Sequence, residues 1–284
     1  MHDNKPVFDG SKKLPQATVR VDTLLQGYRI GTDHGSVAFC GVNLIEGLDR
    51  EGSLKRIVVD TGHTGRRGPL EAELGKRSLH GSDIDVVVCT HAHWDHIENL
   101  NIFERAQIFL HPDERRYARQ PHRNDTACPN WVDAVLAYYG ERIREVEEGA
   151  EIIPGVEIVE APGHSAGTIA VSAATADGVA VITGDAIQNS MVAVERRNAL
   201  VFWDNEMASR SIEKLLEIGD IIYPGHDQAF RIDGQNKVEY VQQFQLTITG
   251  AAADQAGLMF DPSTRLVPLI MPGIEEQHAV GRQP

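Results

Sequence analysis

Cysteine, basic residues and long apolar runs are all scarce in this chain, and each shortage removes a class of function. The three cysteines, Cys40, Cys89 and Cys128, are odd in number and show no CxxC spacing, which argues against a disulfide framework or a thiolate zinc site. Cys40 and Cys89 fall in apolar stretches and are expected to be buried. Lys and Arg number 27 against 41 Asp and Glu, a formal net charge of −14 that repels nucleic-acid backbones at long range. The arginines that do cluster, Arg115, Arg116, Arg119 and Arg123, are interleaved with Asp113, Glu114 and Asp125 and read as a mixed, solvated face. No run of about 18 apolar residues is available to cross a membrane. The polar start MHDNKPVFDGSKKLPQ lacks the apolar core of a secretory signal, so a cytoplasmic protein is expected.

What is present is an ordinary globular balance, 42% hydrophobic and 24% charged, which supports a sizeable core without low-complexity tracts. Residues 1–16 read as an extended arm. ATVRVDTLLQG (17–27), SVAFCGVNLIEG (36–47) and LKRIVVD (54–60) read as three strands opening an antiparallel sheet. PLEAELGKRSLH (69–80) has helical spacing and leads to IDVVVCT (84–90), a β-branched run that predicts a buried strand. A short helix in IENLNIF, a strand in AQIFLHP and a helix opening at Pro112 continue the alternation. Residues 120–140 loosen into a cap over a pocket or a surface excursion, both readings standing. Strands resume over 141–160 with a hairpin at Pro154-Gly155, then in TIAVSAAT and VAVITG. A helix from about Met207 to Ile218 precedes the strand in DIIYPGHD.

Chemistry concentrates in His91-Ala92-His93-Trp94-Asp95-His96, at the mouth of the 84–90 strand. Residues two apart in an extended segment point the same way, so His91 and His93 share a target while a turn at Trp94 redirects Asp95 and His96. Imidazole and carboxylate together suit zinc, and also iron, manganese or cobalt. Asp60 ends its own strand and is placed to orient a ligating histidine rather than only to form a turn; His63 reads as an exposed loop histidine. His164, Asp185 and His226 each follow a strand, and ligands converging from neighbouring strand ends are what one metal pocket needs.

The stretches VVDTG, HAHWDH, PGHSAG, TGD and PGHD, in that order, resemble the metallo-β-lactamase superfamily over about residues 17–231. The resemblance implies an α/β fold, a four-layer αββα sandwich with a metal pocket at one edge between the sheets. It places a hydrolase domain over 17–232, with the arm read at 1–16 before it and, after it, an extension over 233–284 that is expected to pack on the domain or on a partner. By position, the first of two divalent ions, zinc foremost, would take His91, His93 and His164. The second would take Asp95, His96 and His226, with Asp185 bridging. Asp95 would also help move the proton of the attacking hydroxide. LLQGY, VDTG, DHIENLNIF and PGHDQAFRI look like the metallo-β-lactamase domain-containing protein 1 type. The N-acyl homoserine lactonase branch shares the ligand pattern, but many of its members carry tyrosine where this chain has Gln188.

The expectation that follows is a hydrolase using hydroxide on a dinuclear site to open a small lactone or cleave an ester. A phosphodiesterase, an iron-dependent redox protein and a non-catalytic metal-binding module are the alternatives. A small-molecule substrate is expected, with nucleic acid and membrane disfavoured. Trp94, Gln188 and Val201-Phe202-Trp203 are candidate pocket walls. NKVEYVQQFQLTITG (236–250) reads as a further strand or a homodimer contact, and the apolar 266–271 stretch as a segment needing cover.

Overall fold

The structure, a computed structural model, describes residues 19–32, 35–198, 200–241, 243–246 and 269–270. The first half runs β1 (Arg20–Leu25), β2 (Tyr28–Thr32), β3 (Gly35–Phe39), β4 (Val42–Leu48), β5 (Leu54–Val59), α1 (Arg67–Lys76), β6 (Val86–Val88), α2 (Trp94–Ile97), β7 (Gln107–Leu110), α3 (Pro112–Arg119), α4 (Trp131–Tyr138) and β8 (Ile143–Glu145). The second half runs β9 (Glu151–Ile153), β10 (Val156–Glu160), β11 (Ile169–Thr175), β12 (Gly178–Gly184), α5 (Ser190–Glu195), β13 (Leu200–Val201), α6 (Asn205–Ile218), β14 (Ile221–Pro224), β15 (Phe230–Ile232), β16 (Val238–Tyr240) and β17 (Leu269–Ile270).

Two sheets form, ordered β1-β4-β5-β6-β7-β8 and β16-β15-β14-β12-β11-β10-β9. The first begins antiparallel and turns parallel from β5 to β8. Parallel neighbours need a crossover, and α1 supplies the one between β5 and β6. In the second sheet β12 and β14 are parallel, joined across α5 and α6.

Side-chain alternation explains the layering. In β5, Ile57 and Val59 point into a core shared by both sheets, where they meet Ile158, Ile169, Val171, Ala180 and Ile182. Val58, between them, faces the opposite way and packs with Leu70 and Leu74 of α1, and that same layer holds Val132 and Leu136 of α4. The second sheet repeats the scheme: Ala170, Val181 and Ile222 turn outward to Val192 of α5 and to Ile212 and Leu215 of α6. Period-two strands that are apolar on both faces must be covered on both sides, and the result is the helix, sheet, sheet, helix order expected of this chain. Ile57 is fully buried at the centre, so Ile57→Ala would cost about 2–5 kcal/mol.

One strand assignment is corrected. Residues 36–47 divide into β3 and β4 at Cys40-Gly41, and β3 pairs instead with β2 in a separate hairpin. The break arises where main chains of the two halves meet: Gly41 N–H donates to Gly225 O at 2.6 Å, and a Cβ on Gly27 would lie 2.4 Å from that same oxygen. Past residue 232 the second sheet continues into β16 at its edge. The 1–16 arm and most of the 266–271 stretch lie outside the described residues; the backbone of β17 pairs in parallel with β13. Among the described residues no helix is long and apolar enough to cross a membrane.

Candidate metal centre

Strand direction decides where the polar side chains gather. β5, β6 and β7 are parallel, so Asp60 after β5 and the hexapeptide after β6 emerge at one edge. Asp60 N–H donates to Val88 O at 2.9 Å, and Thr61 N–H donates to His96 O at 2.7 Å, locking the two strand ends together. In the second sheet, Asp185 and His226 follow the parallel strands β12 and β14. His164 precedes β11, which runs antiparallel to β12. All three therefore arrive at the end of the sandwich that carries the hexapeptide.

There the seven side chains meet in overlapping groups: His91, His93 and His164; Asp95, His96 and His226; and His91, His96 and Asp185, which joins them. His164 Nε2 lies 3.0 Å from His93 Nδ1. The two oxygens of Asp185 divide their attention. Oδ2 is 3.5 Å from His164 Nε2, while Oδ1 is 3.4 Å from His96 Nε2 and 3.2 Å from His226 Nε2. Asp95 Oδ2 stands 3.5 Å from His226 Nε2. A Cβ at residue 225 would sit 2.1 Å from Asp185 Oδ1, so the glycine before His226 is what lets that carboxylate in.

The donor set fits divalent cations. His91 Nε2, His96 Nε2 and Asp185 Oδ1 are buried and make no hydrogen bond, a costly state for polar atoms that a coordinated cation relieves. On His91, His93, His96 and His164 the opposite ring nitrogen is tied down, which sets tautomer and ring direction, whereas His226 Nδ1 has no hydrogen-bond partner. His91 Nδ1 lies 3.0 Å from Thr90 Oγ1. His93 Nε2 lies 3.2 Å from Asp125 Oδ2, His96 Nδ1 lies 2.7 Å from Asp60 Oδ2, and His164 Nδ1 lies 2.8 Å from Leu200 O. Asp60 also accepts from Thr90 N–H at 2.8 Å and from its hydroxyl. Imidazole and carboxylate donors suit zinc, and equally iron, manganese or cobalt.

Burial and neighbouring charge set the protonation. Burial drives His91 well below the ordinary histidine value, reinforced by the surrounding histidines, and holds His164 at about 4. For His93 burial also opposes the charge, but Asp125 outweighs it and raises the pKa; Asp185 does the same for His226. Burial opposes ionisation of Asp185, yet His226 and His96 hold it well below the usual carboxylate range. Burial pushes the Cys40 thiol up to about 11, so it stays protonated.

Two acids assigned above to a solvated face are a correction. Glu114 is 0% and Asp125 4% exposed, because α3 turns Glu114 inward with Tyr117 and Ala118 and the 120–140 excursion folds back toward His93. Asp125 accepts from Tyr117 OH at 2.7 Å and from the Ala127 and Cys128 N–H groups. The rest of that excursion, α4, packs on the outer layer of the first sheet. The inward stripe 114, 117, 118 is a helical-period signal that could have flagged Glu114; nothing local marks Asp125.

Around the cluster, Phe202 sets its ring edge-on to His93 and His164, with centroids at 4.9 and 5.4 Å. Trp203 packs on Tyr117. Trp94 meets the edge of His63, and His63 is half-buried and stacked on Phe39 rather than exposed as its loop position predicted. Gln188, 3% exposed, donates through Nε2 to Asp185 Oδ2 at 3.0 Å.

Comparison with known proteins bears on this geometry. A model of the Metallo-beta-lactamase superfamily matches residues 45–226. The metallo-beta-lactamase domain-containing protein 1 of Xenopus laevis is 29% identical over 231 residues, 78% of this chain and 85% of the frog protein. An N-acyl homoserine lactonase of Bacillus cereus is 27% identical over 152 residues, 51% of this chain and 56% of that enzyme. Among solved structures, a probable metal-dependent hydrolase from Staphylococcus aureus superposes with a TM-score of 0.64 at 16% identity, over 82% of this chain and all of that one.

Proposed function

The chain belongs to the metallo-β-lactamase superfamily, and on that premise we propose that this metal-dependent hydrolase carries two divalent cations, zinc among those the donors suit, and opens small lactones or cleaves esters. The observation that carries the proposal is Asp185, whose two oxygens face different histidine groups. His91, His93 and His164 would hold one cation and Asp95, His96 and His226 the other. Bound there, the pair would activate water near neutral pH and polarise the acyl oxygen.

The chain's own side chains do the rest. Asp60 and Asp125 hold His96 and His93 in the tautomers that leave their other nitrogens free. Asp95, 7% exposed and 3.5 Å from His226, is placed to accept the proton of the attacking water and pass it to the leaving alcohol. Gln188 steadies Asp185. Phe202, edge-on to His93 and His164, gives that side of the site an aromatic wall, which suits an acyl group better than a polyanion. The net charge of −14 weighs the same way, since phosphate binding draws on basic residues. The lactonase relative supports the lactone class.

The test is hydrolysis of homoserine lactones of graded chain length, aryl esters and bis-p-nitrophenyl phosphate, with metal content measured on the same sample. Two equivalents of metal with chelator-sensitive lactone or ester turnover is the expected result. Phosphodiester turnover alone would move the assignment to a nuclease-like hydrolase, and one iron without hydrolysis would overturn it.

A further inference from the structure

We propose that Glu114, which is none of the seven candidate ligands, is the positioning residue that joins the two loops of the first cation site. This rests on the assignment of His91, His93 and His164 to one cation. Those three side chains come from opposite halves of the sandwich, on the hexapeptide loop and the 163–167 loop. The main-chain tie there, Ile169 N–H to Thr90 O at 2.8 Å, lies at the root of the two loops rather than between them. Glu114 spans them. Its Oε1 accepts from the N–H of Ala92, between His91 and His93, at 2.8 Å. Its Oε2 accepts from Ser165 Oγ at 2.7 Å and from Gly167 N–H at 2.8 Å, just beyond His164.

A carboxylate with no solvent exposure is tolerated only when donors surround it, and here every donor belongs to a ligand-bearing loop. The packing is equally tight: a Cβ at Gly167 would lie 2.3 Å from Glu114 N, so the second loop rests directly on the first turn of α3. A buried negative charge behind His93 and His164 also favours a cation in front of them. Glu114 therefore sets the spacing of His93 Nδ1 and His164 Nε2, 3.0 Å apart, without touching the metal or the substrate.

Glu114→Gln tests this, because the amide keeps the shape but turns one acceptor into a donor that faces N–H or O–H groups. Cation affinity is read by chelator competition, site geometry by the absorption spectrum of the cobalt-substituted protein, and folding by circular dichroism. A His226→Ala background, which strips the second group, isolates the first site. The variant is expected to remain folded, to bind the first cation on the order of 10–100-fold more weakly and to show an altered cobalt spectrum. Wild-type affinity and an unchanged spectrum in Glu114→Gln would overturn the proposal. If Glu114→Gln does not fold, Ser165→Ala, which deletes one donor, carries the test: a severalfold loss supports the clamp and unchanged affinity overturns it. Failure of the parent protein to bind a cation would instead remove the metal assignment itself.

Discussion

The two halves of the sandwich hold their shares of the site by different means. Side chains from the hexapeptide rest on buried acids reached from other elements: His96 on Asp60, His93 on Asp125, and the Ala92 backbone on Glu114. Apart from Glu114, which also reaches Ser165 and Gly167, the second half relies on main chain and amides. His164 is fixed by Leu200 O, Asp185 by the Gln188 side chain and by Asn198 under its own carbonyl, and His226 N–H by Gln188 O at 2.7 Å. One half is tuned by charge and the other by backbone geometry. Charge-neutralising substitutions should therefore act on cation affinity in the first half, whereas lost hydrogen bonds in the second should act mostly on stability.

Asp185 breaks the division, since it faces both groups, and its replacement has the largest expected effect. Asp185→Ala should lower chelator-sensitive hydrolysis by more than about 100-fold, beyond the 10–100-fold typical of residues that only support a ligand. Bound metal should fall with it. Retention of two equivalents of metal in Asp185→Ala would remove the bridging role.

Asp60→Asn comes next. It preserves one acceptor but removes the charge beside His96 and places an amide against the Thr90 donors, so cation affinity should fall on the order of 10-fold or more. Chelator competition measures it, and an effect under twofold would sink the charge-tuned half of the comparison. Asp60 and the hexapeptide were legible because each closes a β-branched strand, and parallel strands carry such residues to one edge. The layers were legible from alternation, as in Ile57, Val58 and Val59. Asp125 was not: its neighbours His122, Arg123 and Asn124 are those of a solvated turn, and only the fold of 120–140 onto α3 buries it. The break at Gly41 was hidden likewise, since it answers to Gly225, far along the chain.

Asp125 also gives the comparison an acid signature. Burial pushes its pKa up, but His93 and the Tyr117 hydroxyl outweigh burial and hold it at about 2. A carboxylate depressed on folding binds protons less readily than in the unfolded chain, near 3.9. Its contribution is fully present above about pH 4 and is lost as the pH falls toward 2, amounting to about 2 kcal/mol. Denaturant melts of chelated protein should show Asp125→Asn less stable than the parent near neutrality and the gap closing over that window. A gap that persists unchanged at pH 2 would show that packing, not charge, holds Asp125.

Asn198 carries the smallest expected effect on the metal and the sharpest contrast. It is 1% exposed, donates to Asp185 O at 2.8 Å and to Ala186 O at 3.2 Å, and accepts from Leu200 N–H at 2.9 Å. These bonds fix backbone, and the Leu200 carbonyl that holds His164 is one residue's geometry away. Asn198→Ala should cost about 1–3 kcal/mol in a denaturant melt while cation affinity stays within about threefold of the parent. β12 and β14 already place Asp185 and His226 through their parallel pairing, so losing one amide shifts the loop without changing the charge around the donors. If Asn198→Ala weakened the cation as much as Asp60→Asn, the second half would be tuned as finely as the first, and the contrast between charge and backbone would fail.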